Sequence, residues 1–380
     1  MVTGRTASAA AIERAYAFGP ARVAVRSDAP DLMRWLDDFF FPGCSRSMSR
    51  PGDPRVTVVA ADDPGVRAAV DGIVTDAGPQ PCFALDRGVV FHPAGRTSAG
   101  LLVVDDEQYG TRSLLTPDGV TVVRTDSAPR SRAGVMRVVR ELVTARAVAD
   151  GQVQLHAGAL ERDGRVVVIA GPKEAGKTTL VARLAGLGVA ALAANDRVLL
   201  APDGPHGWQA HAVGTIVSIR PGTRELLPTL RDAFPDVASP AHLTDAELAD
   251  AGSRSAPAGA RVKVTPAQFA RALGAARAGG GRIARIVLLA VDRELDGYHL
   301  HPLASDATAH ALRCVAYGNR PDGLPRTVFE DWLGVAPAPA TEVWPALAAA
   351  VPVSALTVGP RVLHDDTCAA ALADLVFADD

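Results

Sequence analysis

Arg165-Val166-Val167-Val168-Ile169-Ala170-Gly171-Pro172-Lys173-Glu174-Ala175-Gly176-Lys177-Thr178-Thr179 is the stretch from which the fold of this 380-residue chain is read. Its first six residues are a short β-branched run, the signature of a buried strand. Gly171, Gly176, Lys177 and Thr178 complete the pattern G-x-x-x-x-G-K-[ST], a phosphate-binding P-loop. Beyond it, Leu180, Val181, Leu184 and Leu187 fall at helical spacing, and Gly188 stands where a helix C-cap is expected. Strand, glycine loop and helix in that order bring main-chain N–H groups and a helix N-terminus onto one anion. The expected cradle comprises Gly171, Lys173, Glu174, Ala175, Gly176, Lys177, Thr178 and Thr179.

Upstream, Val153–Leu160 reads as a second strand, joined to the first across Glu161-Arg162-Asp163-Gly164. Asp-Gly between apolar runs is the strongest short hairpin signal. With Asp163 and Gly164 as the turn, facing positions sum to a constant, Arg162 faces Arg165, and His156 falls opposite Gly171 at the mouth of the loop. A histidine there can serve a phosphate site, although in an apolar strand it can equally be a satisfied core residue. Downstream, Val189–Ala194 reads as a strand ending in Asn195-Asp196. A carboxylate at the C-terminal end of a strand beside the loop strand is where phosphoryl transfer needs one, to hold Mg²⁺ or take a proton. The alternative is a residue that caps the following turn. Ile286–Val291 followed by Asp292 also fits a strand with an acidic, Walker B-type end.

Lysine and arginine total 39, yet only Lys173, Lys177 and Lys263 are lysines. Arginine serves wherever either cation would do, so a retained lysine marks a place where a compact ammonium matters. Two of the three lie in the glycine loop, which makes Lys263 a candidate site residue, against the plain alternative of a surface lysine. It ends a segment, residues 234–262, rich in Ala, Ser, Pro, Gly and Asp, read as a mobile insertion with a short helix near Thr244–Ala251. Thr265-Pro266-Ala267-Gln268 is a capping box. Ser305 is expected to cap a helix. His299 and His301 share a strand face without an evident third metal ligand.

Hydrophobic residues make up 48% and charged residues 21%, a globular composition with enough apolar mass for a real core. A net charge of −3 offers no basis for binding nucleic acid or an anionic membrane, and no apolar run reaches a membrane span. Cys44, Cys82, Cys314 and Cys368 lack pairing or ligand spacing and read as buried free thiols of a cytoplasmic protein. A homo-oligomer is compatible with the sequence. The N-terminal half reads as a loosely ordered start, a strand at Arg22–Arg26, an amphipathic helix ending at Pro42-Gly43, a loop at Ser45–Pro54, and further strands. It shows no catalytic constellation. A linker at Asp126–Arg132 and a helix from Gly134 to Ala149 lead into the second half.

Leu155-His156-Ala157-Gly158-Ala159-Leu160, the Asp-Gly hairpin, the glycine loop, its helix and the strand closing on Asn195-Asp196 together resemble the catalytic domain of HPr kinase/phosphorylase and its kinase-like relatives. The match is good over residues 150–200. It implies an α/β fold: a mixed-sheet P-loop kinase domain related to phosphoenolpyruvate carboxykinase over 129–380, preceded by a smaller α+β domain over 1–128, whose lack of chemistry of its own makes it a candidate acceptor-binding domain. It implies an ATP-dependent kinase acting on a serine-type hydroxyl of a peptide, protein or small molecule. Lys177 would offset charge on the β- and γ-oxygens, Thr178 and Asp196 would hold Mg²⁺, and Asp196 would position or deprotonate the acceptor. His156 and Lys263 would line the γ-phosphate. Two residues depart from the family: Asn195 stands for its first aspartate, and Glu174 for a mid-loop glycine. The alternatives are a conventional P-loop NTPase using Asp292, or a nucleotide-binding scaffold that Asn195 has weakened as a catalyst.

Overall fold

The computed structural model describes residues 11–59, 80–84, 90–96, 102–106, 108–124, 129–204, 207–235, 243–244, 247, 261–317, 328–334 and 343–378. The fold is α/β with mixed sheets, in two compact units. One comprises Met1–Asp38, Ser45–Asp150 and Asp322–Ala336; the other comprises Phe39–Cys44, Gly151–Pro321 and Pro337–Asp380. The helix expected to open the second domain therefore belongs to the first unit, and the division falls at residue 150.

In the first unit β1 (Ile12–Phe18), β2 (Ala21–Ser27), β3 (Ser45–Ser47), β4 (Arg55–Val59), β5 (Gln80–Ala84), β6 (Val90–Arg96), β7 (Leu102–Asp106), β8 (Thr111–Thr116) and β9 (Gly119–Arg124) form one sheet. Their order is β3-β1-β2-β4-β9-β8-β7-β6-β5, with β2, β4 and β9 parallel. The start expected to be loosely ordered, residues 1–10, lies outside the described residues; from Ile12 on, Tyr16, Ala17 and Phe18 bury their side chains while β1 pairs with β2 from Ile12↔Ser27 to Phe18↔Ala21. β3 occupies the start of what reads as a loop. α1 (Pro30–Phe40) buries the expected stripe, including Leu32 and Leu36. α2 (Arg130–Ala149) begins four residues before Gly134, where a Cβ would meet the Thr111 side chain at 2.6 Å. The turn between β5 and β6, and the side chain of Cys82, lie outside the described residues.

The second unit contains β10 (Val153–Arg162), β11 (Arg165–Ala170), α3 (Lys177–Gly186), β12 (Ala191–Ala194), β13 (Arg197–Asp203), β14 (Gly207–Val213), β15 (Val217–Ile219), α4 (Pro221–Leu226), α5 (Pro228–Ala233), β16 (Val262–Val264), α6 (Pro266–Leu273), β17 (Gly280–Val291), β18 (Tyr298–Pro302), α7 (Ser305–Cys314), α8 (Val343–Ala350), β19 (Val353–Val358), α9 (Arg361–His364) and α10 (Asp366–Phe377). Hydrogen-bonded neighbours run from β11 through β10, β13, β14 and β17, and then back to β11. The ring closes because β17 lies parallel to β11, Arg165↔Arg282 to Ala170↔Leu288, while its first residues also pair with β14. The rest of β17 pairs with β19. Glycine allows this double engagement: a Cβ on Gly280 would overlap Ala210 O, and one on Gly281 would overlap Gly164 O.

Strand alternation divides the apolar residues into two cores. Val166, Val168 and Ala170 of β11 join Leu155, Ala157 and Ala159 of β10 on the side covered by α7 and α8. Val167, Ile169 and Leu160 face the opposite layer, with α3, α6 and α10. The β10–β11 hairpin has the expected register, from Arg162↔Arg165 to Ala157↔Ala170, and both turn residues have positive φ (Asp163 55°, Gly164 78°), as a two-residue turn of this hand requires. The capping box at Thr265 is present with both of its hydrogen bonds, and Gly274 ends α6 with φ 65°. Thr244 and Glu247 also bond reciprocally, N to side chain, but most of the 234–262 insertion lies outside the described residues. Two details differ from expectation. The N-cap of α7 is Ala304, with no side-chain cap. Cys314 is exposed; Cys44 is buried and Cys368 half-buried, and all three are free thiols. Among the described residues no helix is long and apolar enough to cross a membrane.

Candidate active site

β11 delivers the chain to Gly171, whose φ is 153° and whose Cβ, if present, would lie 2.8 Å from Leu289 O of the neighbouring β17. The loop turns through Ala175 N to Pro172 O (3.3 Å), then through Glu174 (φ 74°) and Gly176 (φ 83°), which is the N-cap of α3. A non-glycine residue at φ 74° is costly, and such strain gathers at functional turns. The first N–H groups of a helix have no carbonyl of their own to serve, and they carry the positive end of its dipole. The Lys177 side chain is buried, and its Nζ donates to Gly171 O (2.8 Å) and Pro172 O (2.9 Å) across the same turn. This loop can hold an oxyanion on backbone donors with an ammonium at its edge.

His156, Gly158 and Leu160 share a parity on β10, and the position of Leu160 shows that this is the α3 face. A Cβ on Gly158 would lie 2.6 Å from Val181 Cγ2, so α3 crosses β10 in close contact there. Two residues along the strand, roughly 6.6 Å nearer the glycine loop, comes His156; four residues back along the helix, roughly 6 Å, comes Lys177. Both reach the same end of the layer. The β10–β11 ladder stops at Ala157↔Ala170, where Gly171 leaves the sheet. Val315–Tyr317 takes the vacated place: His156 N donates to Val315 O (3.1 Å) and Tyr317 N to Gln154 O (2.7 Å).

On the other edge of β10, β12 gives way to β13, and Asp196 sits at that break. Its backbone is tied by Ala157 N to Asp196 O (3.0 Å), and its side chain meets the histidine, with His156 Nε2 3.2 Å from Asp196 Oδ1. Both side chains remain more than a third exposed, so the pair is reachable from solvent. Arg197 Nε lies 3.8 Å from the other carboxylate oxygen. Arg197 is buried, donates from Nη2 to Tyr317 Oη (2.6 Å) and stacks over that ring at 4.2 Å. The Tyr317 ring in turn meets His156 edge-on, with centroids 6.0 Å apart. Asn195 turns away into the interior, where its Oδ1 accepts from Thr215 Oγ1 (3.2 Å). Sequence reasoning missed Arg197 and Tyr317. An arginine leading the apolar run Val198–Leu200 was a signal for the first, but nothing local marked the second.

The remaining predicted residues fall into two groups. Thr178 and Thr179 begin α3, half-buried, and Thr179 Oγ1 lies 2.8 Å from Thr223 Oγ1; Lys173 and Ala175 are half-buried within the turn. Glu174 is exposed and accepts from Arg220 Nη2 (3.0 Å). Lys263 is exposed on β16, opposite Ser218 of β15. Asp292 ends β17 at the same end of the sheet as Gly171, but its Oδ1 accepts from Glu294 N (2.9 Å). His299 and His301 stack with ring centroids 5.8 Å apart, and among the described residues no three His, Cys, Asp or Glu side chains converge as a metal site. No family model and no curated protein matches the chain.

Proposed function

We propose that the protein is an ATP-dependent kinase that transfers the γ-phosphoryl group to a hydroxyl, and that its second unit is a kinase domain of the HPr kinase and phosphoenolpyruvate carboxykinase type. The observation that carries this is the His156–Asp196 contact of 3.2 Å, on a strand next to the one that feeds the glycine loop. A loop of backbone donors alone fits any phosphate-binding protein. An exposed carboxylate held by a histidine beside that loop fits an acceptor whose proton must be removed.

In this mechanism the N–H groups of residues 173–178 hold the β-phosphate, and Lys177 moves from the Gly171 and Pro172 carbonyls to the β- and γ-oxygens. The hard oxygen donors of Thr178 and Asp196 suit Mg²⁺, which when bound neutralises charge on the phosphates. Asp196 accepts the acceptor's hydroxyl proton as the new O–P bond forms and the bond to the β-phosphate oxygen breaks, releasing ADP. His156 fixes Oδ1, leaving Oδ2 for the acceptor. Arg197, held by Tyr317, lies 3.8 Å from that same Oδ2 and steadies its charge. Asn195 plays no part in proton transfer, in keeping with its inward hydrogen bond to Thr215.

The test is phosphoryl transfer from γ-labelled ATP to seryl peptides and to small polyols. Label on an acceptor is the expected result; acceptor-independent release of phosphate to water would break the proposal. The parallel pairing of β17 with β11 favours a second reading, a hydrolase with Asp292 as its Walker B carboxylate, and phosphate release is that reading's signature.

A further inference from the structure

β15 and β16 form a two-stranded ribbon outside the main sheet, with Val217↔Val264, Ser218↔Lys263 and Ile219↔Val262 paired. Val217, Ile219, Val262 and Val264 are buried in the α3-side core, so the ribbon turns its other face outward. That face carries Ser218 and Lys263. Arg220 remains extended (φ −84°, ψ 155°), so alternation puts it on the same face, and one further step of the register sets it beside Arg261. Three cations share one small face: Arg220 lies across from Arg261, and Lys263, opposite Ser218, is two residues along from Arg261; like charges directly across a strand pair are destabilising. Among the described residues neither Arg261 nor Lys263 has a carboxylate partner. Arg220 has one, and it is Glu174 of the glycine loop, at 3.0 Å. A second tie, Thr179 Oγ1 to Thr223 Oγ1 at 2.8 Å, joins α3 to α4 just beyond.

We infer that this face, Arg220, Arg261 and Lys263, is an oxyanion subsite contiguous with the glycine loop. It takes a phosphate or carboxylate group, with Glu174 holding Arg220 at the boundary between the two. Two sources share that chemistry: the terminal phosphate of the nucleotide, and an anionic group carried by the acceptor beside its hydroxyl. The inference rests on the proposed phosphate-binding role of the loop.

The full chain is titrated calorimetrically with ATP and with ADP. Inorganic phosphate is then titrated into protein saturated with a non-hydrolysable β,γ-imido ATP analogue. Losing charge-assisted contacts in the double variant Arg261→Met, Lys263→Met should cost about tenfold or more in one arm. A loss for ATP with ADP unchanged assigns the subsite to the nucleotide's terminal phosphate. A loss for inorganic phosphate with ATP unchanged assigns it to the acceptor. Lys263→Arg should retain most of the binding, since the charge persists. No change in either arm would overturn the subsite. Lys177→Ala is the control for the underlying role: if it bound ATP as tightly as the unaltered chain, the phosphate-loop proposal would fail and the subsite with it.

Discussion

Two strands bring an aspartate to the same end of the sheet on opposite sides of β11, and they hold it differently. Asp196 stands at the break between β12 and β13, with its carboxylate between His156 and Arg197. Asp292 follows β17, parallel to the loop strand, and its carboxylate is engaged by the backbone N–H of Glu294. One carboxylate has side chains that can orient it toward a reacting atom; the other closes a turn of its own backbone. A strand's C-terminal end puts an acid near the glycine loop, and the company on the neighbouring strand decides how that acid is held.

The largest expected effect erases the contrast by disabling the loop both aspartates flank. On the proposed kinase reading, Lys177→Ala should lower transfer by about 10³-fold or more, because the variant would lack the ammonium proposed to meet the transferring phosphate. Next, Asp196→Asn should cost about 10²–10⁴-fold in transfer with ATP affinity nearly intact, while Asp292→Asn leaves the rate within about threefold. The reverse ranking would assign the chemistry to Asp292. A smaller effect tests the packing that aligns His156 with α3. Gly158→Ala puts a methyl against the stiff, buried Val181 and should destabilise the fold by about 1–3 kcal/mol in urea unfolding. An unchanged midpoint would mean that α3 yields freely.

The smallest effect concerns β14, the strand bonded to both β13 and β17. Burial pushes the His211 imidazole below its ordinary pKa, only partly offset by the Asp203 carboxylate. The folded state therefore binds fewer protons than the unfolded chain below about pH 6.5, and stability falls as pH drops through that value. Above it both states are neutral there and His211 contributes no slope. Replacing His211 with Gln should flatten the loss of urea midpoint between about pH 7.5 and 5.5. An equal loss in both proteins would place the acid sensitivity elsewhere.

Features set by neighbouring residues were legible in the sequence. Asp163-Gly164 determines the hairpin register through its own backbone preferences, and Thr265 with Gln268 caps α6 from within four residues. Other features are invisible because they depend on distant partners. Tyr317 matters only because Val315–Tyr317 pairs with β10, more than a hundred residues upstream. β14 mixes Trp208 and His211 with Gly207, Ala210 and Ala212, residues with little β preference, and is held as a strand by bonds on both edges. Lys263 stood out by its scarcity, yet only the ribbon register shows that Arg220 and Arg261 share its face.

The ring closure through Gly280 and Gly281 has a consequence for how this molecule is made. Arg165 must meet Arg282, a pairing between segments far apart in the chain, and such long-range closure is late and slow. A ribosome that has emitted residues 151–279 has produced the whole glycine loop, His156 and Asp196, but not the strand whose Leu289 carbonyl packs against Gly171. Nascent chains of that length hold the glycine loop, His156, Asp196 and Arg197 but lack Tyr317 and one wall of the site, and so depend on residues 280 onward for its shape.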